Sequence, residues 1–162
     1  MADFLKIEVD DAKLRAWFSE LQRRGQDLSP LMRDIGEALT ESTQRRFATG
    51  IAPDGTPWEP LADGSGRTPL VDTGRMRDDI SPNSGADFVE IRAGAKQARW
   101  HQEGTDPYKI KPRTKKALAF DGVVRGGVNH PGLPARPFIG LSTDDEAMIG
   151  RLAGAYLDPD GG

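Results

Sequence analysis

The spacing of apolar and polar positions changes several times along the chain, and each change marks an element. Leu5, Ile7 and Val9 alternate with Lys6 and Glu8, the period of a half-buried strand. Asp10 or Asp11 can then cap a helix in which Leu14, Trp17, Phe18 and Leu21 make one apolar stripe, with Gly25 suited to its C-terminal cap. At that spacing Trp17 and Phe18 read as core residues. A second helix is predicted with Ser29 as N-cap and Pro30 at the first helical position. Leu31, Ile35, Ala38 and Leu39 form one face, which Met32, Thr43 and Phe47 widen. Arg45 and Arg46 fall in its last turn, where they either meet the negative end of the helix dipole or contact an acidic neighbour.

From Thr49 to Pro69 the period disappears. Trp58 and Leu61 are the large apolar residues of a long Pro/Gly-rich loop. Asp54-Gly55 signals a tight turn that aims Trp58, and Pro57 and Pro60 stiffen its flanks. Trp58 therefore anchors the loop, to the body of the chain or to a neighbouring subunit. Asp72 or Thr73 can cap a short helix from Gly74 to Asp79, and Phe88–Ala93 alternates as a strand. Ala98–Gln102 fits either a strand or a helical turn, with Trp100 as its apolar anchor. Ala117–Phe120 and Val123-Val124, separated by Asp121-Gly122, read as a hairpin with a type I′ turn.

The segment Asn129–Phe138 contains Pro131, Pro134 and Pro137, so it is neither a helix interior nor a central strand. It reads as a stiff extended arm carrying Leu133, Phe138, Ile139 and Leu141, shaped to lie in a groove of its own chain or of a neighbour. Ser142 and Thr143 before Asp144, Asp145 and Glu146 mark a capping box and the acidic first turn of a last helix. Met148, Ile149, Leu152, Ala155 and Tyr156 share a face of that helix. The elements together predict an α+β fold: an antiparallel sheet with two N-terminal helices and a C-terminal helix packed on it, and a long Pro/Gly-rich loop. The chain of 162 residues reads as one domain over 1–157 with a frayed tail at 158–162.

Composition narrows the chemistry. With no cysteine there is no disulfide, thiolate metal site or thiol nucleophile. The start of the chain lacks a signal peptide's basic and apolar segments, and no apolar run reaches membrane-spanning length. The net charge of -3 exerts no general pull on nucleic acid. Charge is unevenly placed, however. Residues 96–116 hold seven bases against two acids, while residues 144–162 hold five acids against one base. A basic and an acidic face on one subunit suit head-to-tail contacts in a ring, although two separately solvated surfaces would read the same way.

Candidate active sites are weak. His101 and Glu103 make a His-x-Glu pair without the later Pro-Cys-x-x-Cys of zinc deaminases. A metal-dependent hydrolase built on His101, Glu103 and His130 is conceivable, but His130 has no spacing relation to the other two and fits a hydrogen bond within its Pro/Gly turn. No Gly-x-Ser-x-Gly elbow is present, and Asp63–Thr68 lacks the Gly-Lys-Ser/Thr ending of a phosphate loop. No cofactor is expected. The strongest nucleic-acid candidate is the extended segment 109–116, where Lys109, Lys111, Arg113, Lys115 and Lys116 could track phosphates.

Four stretches in order resemble the phage virion morphogenesis family. They are Arg45-Arg46-Phe47 with Pro53–Leu61; Leu70–Arg77; Ala98–Gly104; and His130–Phe138 running into Leu141–Asp145. Glu103 departs from the pattern, which has an apolar residue before the glycine. The resemblance implies a non-enzymatic structural protein of the phage neck, acting in tail completion and head–tail joining after assembly in the host cytoplasm. It further implies a homo-oligomeric ring, sixfold to match the tail. The ring's partners would be the tail tube or tail terminator and the head connector or adaptor, with passing contact to genomic DNA and none to membrane. The interface residues expected on this reading are Asp54, Gly55, Trp58, Arg75, Pro134, Ala135, Arg136, Pro137 and Phe138.

Overall fold

A computed structural model describes residues 12–23, 27–112, 117–120 and 123–157. The expected strand at Leu5–Val9, the caps at Asp10, Asp11 and Gly25, the turn at Asp121-Gly122 and the tail at 158–162 lie outside the described residues. So do the side chains of Leu14, Trp17 and Leu21. The rest is α+β. Helices α1 (Ala12–Arg23) and α2 (Ser29–Thr49) are followed by the long loop and a single turn, α3 (Arg75–Asp78). Strands β1 (Ile80–Ser84) and β2 (Val89–Ala93), helix α4 (Ala98–Glu103) and strand β3 (Tyr108–Ile110) come next. Strands β4 (Leu118–Phe120), β5 (Val123–Arg125) and β6 (Val128–His130) lead through the arm into α5 (Thr143–Leu157). The strands divide among three two-stranded antiparallel ribbons, β1–β2, β3–β6 and β4–β5.

Helix α2 organises the body. One side lies on the β1–β2 ribbon and another against α5. Its start differs from expectation by one residue: Ser29 is already helical, Leu28 is the N-cap, and the Asp27 carboxylate accepts the Ser29 amide at 3.0 Å. Leu28 supplies no cap hydrogen bond; its side chain goes to the core instead, where it is 1% exposed. Gly36 sits where α2 meets the ribbon. A Cβ there would stand 3.0 Å from the Pro82 Cβ, so close approach of helix and strand depends on its absence. Strand β1 escaped the sequence reading because Pro82 and Ser84 break its apolar alternation. A two-stranded ribbon tolerates a proline because one edge of each strand lacks a partner.

Two apolar clusters flank α2. Leu28, Leu31, Met32 and Ile35 pack with Ile149 and Ala153 of α5. Further along, Phe47 packs with Trp58, Met76, Ile80, Ala93, Ala98, Phe138 and Ile139. The second cluster joins loop, ribbon, α4 and arm around one aromatic ring. Two expectations fail nearby. Neither Asp72 nor Thr73 caps α3; Gly74 holds that position at φ 75° with no side-chain hydrogen bond. Residues 98–103 are helical, and Trp100 is not an anchor but 54% exposed, because small Ala98 turns toward the core instead. Glu103, the departure noted above, is exposed and pairs with Arg99 at 3.1 Å, so it disturbs no packing.

Candidate assembly interface

The arm lies in a groove of its own chain. Prolines 134 and 137 offer no amide, so the segment cannot complete a ladder, and its polar groups are served by three side chains from elsewhere in the chain. Arg46, in the last turn of α2, donates through Nη1 to the carbonyls of Phe138 at 2.7 Å and Gly140 at 2.9 Å. Trp58 donates its indole N–H to the Pro137 carbonyl at 2.8 Å. Gln102 of α4 accepts the amides of Phe138 and Ile139 on Oε1, each at 3.0 Å, and donates to the Ile139 carbonyl at 2.9 Å. Arg136 reaches the other way, donating to the Glu59 carbonyl at 2.8 Å and the Pro60 carbonyl at 3.0 Å in the long loop.

Aromatic packing fills the space beneath. Phe47 meets Trp58 edge-on with centroids 5.7 Å apart and Phe138 at 5.2 Å. The turn that aims Trp58 is built as expected. Gly55 has φ +85°, Asp54 accepts the Thr56 amide at 2.9 Å, and the Trp58 amide bonds back to Gly50 at 2.7 Å. That amide hydrogen bond holds the Asp54 carboxyl below its usual range.

The Arg46 guanidinium also forms a buried ion pair with Asp145 in the first turn of α5. The expected capping box is present: the Ser142 amide donates to Asp145 at 2.9 Å, and the Asp145 amide to the Ser142 hydroxyl at 3.2 Å. Burial pushes the Asp145 carboxyl up. Hydrogen bonds from Ser42 and Ser142 and the charge of Arg46 outweigh it, and the carboxyl titrates below its usual value. The acidic neighbour of Arg46 thus belongs to its own chain. Arg45, beside it in sequence, stays exposed against Glu41.

Of the expected interface residues, Trp58, Arg136 and Phe138 are each at most 6% exposed and pack or hydrogen-bond within their own chain. Pro134 and Pro137 are half-buried, while Asp54, Gly55, Arg75 and Ala135 are exposed. Sequence reasoning passed over Gln102, whose three hydrogen bonds a lone glutamine does not announce. It read Asp145 only as a cap. The motifs Arg45-Arg46-Phe47 and Ala98–Gly104 carried the signal, since each contains a residue that grips the arm, Arg46 and Gln102.

The arm continues backward into β6, which pairs with β3 through Tyr108↔His130, Lys109↔Asn129 and Ile110↔Val128. A bridge between Thr105 and Leu133 extends the pairing toward the body. Gly132 makes that approach possible: at φ +93°, any Cβ would lie 2.3 Å from the Thr105 carbonyl oxygen. The His130 Nδ1 accepts the Gly132 amide at 3.1 Å, as its position in the turn suggested, and its ring stacks on Tyr108 at 4.8 Å. His101 lies on α4, with Nδ1 buried and its pKa lowered by burial and then by the Arg136 charge. Helical spacing turns His101 and Glu103 to different faces, and among the described residues no group of three His, Asp or Glu stands where it could hold a metal ion. The geometry gives the hydrolase reading no support. Lys109 is exposed on β3 and Lys111 just after it, while Arg113, Lys115 and Lys116 lie outside the described residues.

The sequence profile of the phage virion morphogenesis family matches residues 9–158. The chain belongs to that family. It is similar to the tail completion protein S of Escherichia phage P2, with 31% identity over 129 residues, covering 79% of this chain and 83% of that protein. No solved structure matches. The matched region takes in α2, the loop, α4, the arm and α5, so the knot of side chains around the arm lies wholly within it. Among the described residues no helix is long and apolar enough to cross a membrane.

Proposed function

We propose that this virion morphogenesis protein completes the phage tail as a structural subunit, without catalysis, and joins tail to head at the neck. The observation that carries the reading is the family match across residues 9–158, together with the likeness to a tail completion protein over most of both chains. The geometry supports it in one respect. The parts that the family likeness marks are gathered into one hydrogen-bonded, closely packed knot, which would limit the ordering entropy lost when the exposed loops docked on it meet a partner. The subunit forms a ring, sixfold like the tail, between the tail tube or tail terminator and the head connector. The test is electron microscopy of lysates from phage lacking this chain. Filled heads beside complete but unattached tails are expected; normal infectious particles overturn the reading.

A further inference from the structure

We propose that the β3–β6 ribbon is the surface by which one copy of this chain grips the next, which rests on the ring reading above. The ribbon is amphipathic by register. Tyr108, Ile110, Val128 and His130 share one face, and Lys109 and Asn129 the other. Yet all three residues of β3 are exposed, Tyr108 at 48% and Ile110 at 37%. Tyr108 stacks on His130, but a two-stranded ribbon of three pairs whose apolar side chains stay exposed on β3 is not independently stable in water, so its sequence implies a covering surface.

The complementary surface is present at the other end of the arm. There Ile51, 40% exposed, follows the Gly50 cap of α2, whose last turn is tied by Arg46 to the first turn of α5. Pro53 packs against Gly140 at the same junction. Exposed Asp54 follows Pro53, and exposed Asp144 and Glu146 flank Asp145, so acid lies on the segments that meet at this junction, where the ribbon's end carries exposed Lys109 and Lys111. Opposite charge around apolar centres on different parts of one molecule makes a head-to-tail contact, which closes into a ring when the rotation allows.

Charge exchange tests it. One variant carries Lys109→Glu with Lys111→Glu; a second carries Asp144→Lys with Glu146→Lys. Supplied singly to phage lacking the chain, each should lower plating efficiency at least a hundredfold while remaining folded. Supplied together, or combined in one chain, they should restore it, because each altered ribbon then meets an altered acidic end. Failure of both rescues with folded variants overturns the proposal, and steeply salt-dependent DNA binding lost with the lysines would then assign the ribbon to nucleic acid. Should the α5 variant misfold, Ile51→Cys with Tyr108→Cys serves instead. The chain has no other cysteine, so oxidised tails should yield a covalent ladder of this chain, and monomer alone overturns the contact. The lysate microscopy above is independent of both, so loss of the neck assignment is distinguishable from loss of this interface.

Discussion

The arm and the β3–β6 ribbon are one continuous piece of extended chain with opposite fates. From Leu133 to Leu141 the backbone is gripped by Arg46, Trp58 and Gln102, and Phe138 is wholly buried. A few residues earlier, the same strand pairs with a β3 that is exposed along its length. The apolar, proline-stiffened part resembles a docking peptide but belongs to the core. The part read as a charged segment carries the bare apolar face. Proline accounts for the difference. A segment that cannot make a ladder must have its carbonyls served by side chains, and side chains able to do so lie inside the fold. A segment that makes its own ladder needs no side chain of the body to serve its backbone, and so can stay at the surface.

The largest effects should come from the arm. Phe138→Ala should cost about 3–5 kcal/mol of stability through the cavity it opens, measured by chemical denaturation. A loss below about 1 kcal/mol would mean that the arm is not core and would dissolve the contrast. Arg46→Ala leaves Asp145 buried without its partner and should cost about 3–5 kcal/mol. Arg46→Met combined with Asp145→Leu should recover part of that loss, and a double-mutant cycle reads the coupling.

Gln102→Ala removes three hydrogen bonds that hold the arm and should cost about 1–3 kcal/mol. Acidification should loosen the arm in two windows. His101 is held neutral by burial and by Arg136, so its contribution is full above the unfolded value of about 6.5 and falls below it. Asp145, held ionised, contributes fully above about 4 and loses that contribution as pH falls through its lower folded value. Denaturation at pH 7, 5.5 and 3.5 should show both losses, with His101→Gln flattening the first and Asp145→Asn the second. The smallest effect on stability belongs to the ribbon: Tyr108→Ser should change it by no more than about 0.5 kcal/mol. Its effect should appear in plating efficiency, and a large stability loss there would show that the ribbon is core after all.

Periodicity placed α2, β2, the β4–β5 hairpin and α5 because each obeys a local rule that a few neighbouring residues suffice to express. The capping box at Ser142 and the turn at Asp54-Gly55 were legible for the same reason, their partners being within three residues. Strand β1 was not, since Pro82 hides its pattern, and neither was the helical state of 98–103, whose alternation fits both periods. The candidate interface was the least legible. Apolarity tells that Phe138 and Trp58 will be covered, but covering by the same chain or by another looks identical along a sequence.

What the chain's own order of residues settled is the set of local elements and the family to which they belong, because those depend on spacing and turn chemistry. Tertiary structure alone decided which apolar surface stays bare. That depends on contacts such as Arg46 with Asp145, 99 positions apart, and Phe138 with Gln102, 36 apart, where burial is won by whichever groups the fold brings together.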